Sequence, residues 1–160
     1  MQRKAELLAR TFHQGILLRC NEPQIRHLEG VVELIKEVGI KDDEIIAAAW
    51  LHDTLEDTDL DPFTIKKHTN NRVMEYVQKL TRDTDREEYL LRIGEAPYPA
   101  QIIKLADVMH NCSMLDRGLR DGTIDRLLKD CRNLYLSLAK RLNPEWYMRM
   151  KKYLQREDGA

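Results

Sequence analysis

The segment Ile45-Ile46-Ala47-Ala48-Ala49-Trp50-Leu51 is apolar at every position and runs directly into His52-Asp53 and Glu56-Asp57. A helix that is apolar all round belongs inside a protein core. The ionisable side chains at its far end therefore sit beside low-dielectric packing. Carboxylates crowded there repel one another strongly unless a cation lies among them. At about 100° per residue, a continuous helix places His52 and Glu56 one turn apart on one face, and Asp53 and Asp57 likewise. Imidazole and carboxylate together suit a divalent metal ion. Taken alone, the same residues also describe a solvated acidic helix end.

The remainder of the sequence has helical spacing, punctuated by only 7 Gly and 5 Pro. A first helix is expected from about Lys4 to Leu18, with Ala5, Leu8, Ala9 and Phe12 on one side. Cys20-Asn21-Glu22-Pro23 breaks it, because proline disfavours helix in the residue before it. A second helix, Ile25 to Val38, buries Leu28, Val31, Val32 and Ile35 and is closed by Gly39. Lys41-Asp42-Asp43-Glu44 opens the third with acidic residues where the helix dipole favours them. Asp61 is placed to cap a helix that has Pro62 in its first turn. Short helices follow at Pro62–His68 and Asn71–Leu80. The charged stretch Thr81 to Pro99 reads as a flexible segment, a lid over a site. Further helices are expected over Ala100 to Leu115, Ile124 to Leu142 and Pro144 to Tyr153. No repeat or linker interrupts the 160 residues, so the expectation is one all-α domain over residues 1–160, a helical bundle.

Composition narrows the function. Lys+Arg number 26 and Asp+Glu 27, for a formal charge of −1. That balance argues against a nucleic-acid partner, which needs a basic excess to release counterions. Hydrophobic residues make up 42%, enough for a packed core. No apolar run approaches the roughly 20 residues that span a bilayer, and the amino terminus lacks the pattern of a secretory signal. Cys20, Cys112 and Cys131 are odd in number and form no CxxC pair, as expected of reduced thiols in a cytoplasmic protein.

Two other segments bear on the acidic helix end. In QIIKLADVMHN, Lys104, Asp107 and Asn111 form a polar stripe, with Ile102, Leu105 and Met109 assigned to the core. His27 begins the buried stripe of the second helix. In this order, His27, His52-Asp53 and Asp107 resemble the H…HD…D signature of the HD phosphohydrolase superfamily. AAAWLHDTLEDTD with KLADVMHN is similar, more narrowly, to the hydrolase domain of RelA/SpoT-type alarmone enzymes and the small alarmone hydrolases. The resemblance covers roughly Arg10 to Leu115. It implies that His27, His52, Asp53 and Asp107 hold one Mn²⁺. It implies that Glu56 and Asp57 are the catalytic pair, orienting a water and moving its proton. Arg19, Lys104 and Asn111 would contact the substrate. The implied reaction removes the 3′-pyrophosphate of (p)ppGpp, a small nucleotide. His13, which keeps the family register, is assigned to packing, as are Trp50 and His110, and His68 to the surface.

Departures from the family pattern cluster ahead of His27 and after Asn111. In HQGILLRCNEPQIRH, Leu18 stands where the family has a basic residue that packs on guanine. Asn21 replaces a glycine and Gln24 a tyrosine; Ser113 and Met114 replace an arginine and a threonine. Loss of an arginine–base stack favours an altered nucleobase preference. The alternatives are an HD-type nucleotidase acting on another (deoxy)nucleotide and a nucleotide-binding regulatory module without turnover. The length leaves no room for an accompanying synthetase domain, so regulation is expected from expression, partners or assembly, a homo-oligomer included.

Overall fold

Alanines at positions 5 and 9 leave one side of the first helix, α1 (Gln2–Phe12), free of bulk, and both are fully buried. That side packs against α3 (Asp43–Leu51). The Arg10 guanidinium lies 5.4 Å from the Trp50 ring centroid, and Gln2 Nε2 donates to Asp43 Oδ1 at 2.5 Å. The computed structural model describes residues 1–18, 21–117 and 122–158. Among them the regular structure is helical, apart from an isolated antiparallel bridge between Leu17 and Pro23.

α3 is the hub of the first compact unit, Met1–Ala106. Asp42 caps it, its carboxylate accepting the Glu44 and Ile45 amides at 2.8 and 3.1 Å. All seven residues from Ile45 to Leu51 are buried, as their composition requires. α2 (Gln24–Glu37) packs on α3 through the expected stripe of Leu28, Val31, Val32 and Ile35. It ends before Gly39, whose φ of +85° is the left-handed geometry that glycine adopts without penalty. Leu51 is fully buried in the residue before His52. Leu51→Ala is expected to cost about 2–5 kcal/mol in denaturant unfolding; a cost under about 1 kcal/mol contradicts the central place given to α3.

The remaining helices of this unit are α4 (Thr54–Asp57), α5 (Pro62–His68), α6 (Asn71–Leu80), α7 (Arg86–Glu95) and the first part of α8 (Tyr98–Cys112). Asp61 and Asn70 cap α5 and α6 through the Thr64 and Val73 amides, both at 3.0 Å.

Two expectations need correction here. α1 stops at Phe12, well short of Leu18, and the chain turns through Gly15 at φ +80°, a conformation outside the helical region. The chain then folds back, with Leu18 N–H donating to Glu22 O at 2.7 Å and Gln24 N–H to Ile16 O at 3.0 Å. The stretch from Thr81 to Pro99 is not an open lid. It contains α7, capped by Asp85 and anchored by Tyr89 Oη to Leu80 O at 2.7 Å and by Arg92 Nη2 to Thr81 O at 2.6 Å.

The second compact unit, Asp107–Ala160, begins within α8. It continues through a 3₁₀ turn (Ser113–Arg117), α9 (Gly122–Asp130), a wide π-type turn (Cys131–Tyr135), α10 (Leu136–Leu142) and α11 (Pro144–Asp158). The π-type turn interrupts what the sequence reads as one helix from Ile124 to Leu142. Trp146, Tyr135 and Met150 are buried, and Cys112 and Cys131 are buried free thiols. Cys20 lies outside the described residues. No helix among those described is long and apolar enough to cross a membrane.

Candidate metal centre

The buried stripe of α2 does not end at Leu28. Continued toward the amino terminus at helical spacing it reaches His27 and Gln24, both buried polar residues. α3 delivers His52 in the residue after its last apolar position. The helix does not run on through Glu56, as the sequence suggests, but breaks at His52-Asp53 and restarts as α4. Side chains take over the backbone carbonyls at the break: His52 Nδ1 bonds Ala49 O at 2.8 Å, and Thr54 Oγ1 donates to Leu51 O at 2.5 Å. Asp53, at φ −99° and ψ −5°, is the residue that precedes α4.

His27, His52 and Asp53 converge. One ligand atom from each lies within 4.8 Å of the others. His27 Nε2 is 3.6 Å from Asp53 Oδ2, and His52 Nε2 is 3.3 Å from Asp53 Oδ1. The two rings lie 5.3 Å apart, tilted by 57°. A carbonyl only accepts, so His52 Nδ1 must carry the ring proton and donate it to Ala49. That leaves Nε2 facing a carboxylate oxygen of Asp53. A proton or a metal ion satisfies such a pair, and nitrogen and carboxylate donors from three residues together suit a divalent metal. The bond from Nδ1–H to a carbonyl is also the usual way of orienting a metal-binding histidine.

The other site residues fall into three groups. Glu56 and Asp57 reach toward solvent from α4 beside this centre. Glu56 Oε1 accepts the Arg82 backbone N–H. Desolvation by surrounding residues raises the Glu56 pKa, and the neighbouring Asp53 charge adds to it; the Arg82 hydrogen bond and the positive charges of Lys104 and Arg82 oppose the rise. Asp57 accepts a hydrogen bond from Gln24 Nε2. Lys104 is half-buried, its Nζ 5.4 Å from the Tyr89 ring centroid. Asp107 and Asn111 belong to the second unit; Asp107 is buried, and Asn111 Nδ2 donates to its Oδ1 at 2.7 Å. Arg19 lies outside the described residues.

Sequence reasoning treated Gln24 only as a departure from a pattern and His13 as packing. The spacing of Gln24, three residues before His27 on one stripe, was the available signal. His13 is indeed buried, its Nδ1 bonded to Ala9 O at 2.9 Å, while its Nε2 has no hydrogen-bond partner. Burial pushes its pKa down, against the opposing pull of the Ala9 hydrogen bond and of Asp53 and Asp57. The buried Nε2 is thus a lone pair within the electrostatic reach of the centre.

A helical fold carrying a His/His-Asp cluster at the end of a buried helix defines a class. Residues 5–96 match the HD domain family, and the chain belongs to it. A divalent metal is the ion this family implies, and the donor set found here fits one. Among individual relatives, the chain is similar to human guanosine-3′,5′-bis(diphosphate) 3′-pyrophosphohydrolase MESH1. The two are 35% identical over 62% of this chain and 60% of that protein. A guanosine-3′,5′-bis(diphosphate) 3′-pyrophosphohydrolase of Borreliella burgdorferi is 30% identical over 87% of this chain, which spans 22% of that longer protein. The fold is shared with a solved structure described as a metazoan ortholog of SpoT that hydrolyzes ppGpp. That match has a TM-score of 0.85 at 20% identity and covers 98% of this chain and 94% of the other.

Proposed function

We propose that the chain is a metal-dependent nucleotide phosphohydrolase that removes the 3′-pyrophosphate of (p)ppGpp or a related alarmone. The observation that carries this reading is the convergence of His27, His52 and Asp53 next to the acidic pair Glu56 and Asp57. The names of the human and Borreliella relatives support the choice of substrate. In this reading residues 1–160 act as one hydrolase domain and Asp107 is the fourth ligand, supported by its place in the HD motif and its burial. The ion is Mn²⁺, the family's metal. When bound, such an ion lowers the pKa of a coordinated water and polarises the phosphorus it faces.

The protein's own groups do the rest. Glu56 and Asp57 orient the water and accept its proton. The water oxygen bonds to the phosphorus attached to the ribose 3′-oxygen, the bond from that phosphorus to the 3′-oxygen breaks, and the 3′-oxygen takes up a proton. The products are GDP or GTP and pyrophosphate. Arg19, Lys104 and Asn111 contact the phosphates and sugar. The small-molecule reading goes with a cytoplasmic setting, no nucleic-acid or membrane partner, and assembly into a homo-oligomer as a route to regulation.

A second reading rests on Leu18 and Met114, which stand where the family has a basic residue that packs on guanine and a threonine. They favour a nucleotide other than a guanine alarmone. Incubation with Mn²⁺ and a nucleotide panel, with product identification, separates the readings. Pyrophosphate released from ppGpp, with GDP, is the expected result. Orthophosphate or a nucleoside from another nucleotide instead selects the nucleotidase, and nucleotide binding without turnover selects the regulatory module.

A further inference from the structure

Gln24 is a buried primary amide whose nitrogen faces carboxylates on both sides. Its Nε2 donates to Asp57 Oδ2 and lies 3.4 Å from Asp53 Oδ2, so a single amide group joins a member of the metal cluster to a member of the acidic pair. The orientation of the amide follows from chemistry, since both neighbours are acceptors and only the nitrogen can donate. The side chain cannot easily leave. Gln24 is 5% exposed, lies one turn before His27 on the same helix, and has its backbone N–H bonded to Ile16 O at 3.0 Å. A neutral donor in this place holds two carboxylates near each other without adding charge to a cluster that must also bind a cation. A tyrosine hydroxyl has one proton to give, whereas the amide has two.

We propose that Gln24 is a positioning residue for hydrolysis, fixing the Asp57 carboxylate relative to Asp53 so that Asp57 is aimed at the attacking water. This inference rests on the hydrolase reading above, which gives Asp57 its role in proton transfer. Its effect is predicted in turnover, with little in substrate binding, because Gln24 reaches the reacting atoms only through Asp57.

The test compares Gln24→Met with Gln24→Leu, both of which roughly keep volume, remove both donors and add no charge. Each is measured alone and with Asp57→Asn, using Mn²⁺ and ppGpp, or the nucleotide hydrolysed in the panel above. Thermal melts report folding, and Mn²⁺ affinity is measured by paramagnetic resonance without substrate. For Gln24→Met, kcat is expected to fall about ten- to a hundredfold with KM within about twofold, the usual reach of a hydrogen bond to a charged group. That loss should largely vanish in the Asp57→Asn background. Mn²⁺ affinity should weaken by up to about tenfold, because Asp53 loses one of its orienting partners. If Gln24→Met does not fold, the same expectations for turnover and for its coupling to Asp57→Asn apply to Gln24→Leu. The inference is overturned by unchanged kcat, by a rise in KM alone, which makes Gln24 a substrate contact, or by an undiminished loss beside Asp57→Asn. Failure of the underlying reading is distinct: Asp57→Asn by itself would then leave turnover intact.

Discussion

Asp53→Ala is expected to lose both the divalent ion and activity, with hydrolysis falling roughly a thousandfold or more. Asp53 is the common member of the cluster: its two oxygens face the two imidazoles at 3.6 and 3.3 Å. It is also the only carboxylate in the His27–His52–Asp53 group. Without it the two imidazoles and the proposed ligand Asp107 remain, a much weaker hold on a hard cation. The size of the loss reflects the acidity that a bound divalent ion would lend to a water. Metal content after gel filtration gives the first measurement. Mn²⁺ should raise the melting temperature of the wild type and leave the variant unmoved, because only a ligand that binds the folded state stabilises it. Full activity in a metal-free Asp53→Ala protein would falsify the assignment.

Glu56→Gln is expected to lower kcat by about a hundredfold to ten-thousandfold while the metal stays bound. Glu56 lies outside the three-residue cluster, and a glutamine carbonyl can still accept the Arg82 N–H, so neither the ion nor the local fold depends on the charge. What disappears is a carboxylate able to take a proton. Its pKa is raised, first by desolvation, the direction that suits a group taking up a proton. Single-turnover rates at saturating Mn²⁺ would show the loss directly. A rate within about threefold of wild type would remove Glu56 from proton transfer and leave Asp57 to act alone.

Local signals were the most legible part of the fold. α5 and α6 begin and end where the sequence indicates, because Asp61-Pro62 and Asn70 carry their own capping chemistry. The burial of Ile45 to Leu51 followed from composition alone. The end of α1 was obscured because Ile16, Leu17 and Leu18 prolong an apolar pattern, while the chain turns through the left-handed backbone of Gly15. The break at His52-Asp53 was hidden for a related reason. Helical periodicity assumes that the backbone keeps its own hydrogen bonds, whereas His52 and Thr54 claim the carbonyls of Ala49 and Leu51. Within the site, the motif named His27, His52 and Asp53, three residues that the fold brings together. The amide link through Gln24 needed three dimensions, because Gln24 stands 29 and 33 positions before the two carboxylates it meets.

Ala47, Ala48 and Ala49 have no accessible surface, and the helix that carries them packs against α1, α2 and α6. These methyl groups act as spacers, setting how near the adjoining helices approach, while the last of the three also offers its carbonyl to His52. Close-packed interiors transmit displacement rather than absorb it. Adding a few carbons at such a spacer would therefore shift an imidazole by a fraction of an ångström without altering any ligand. The tolerance of the ion site is machined by side chains that bear no polar atom.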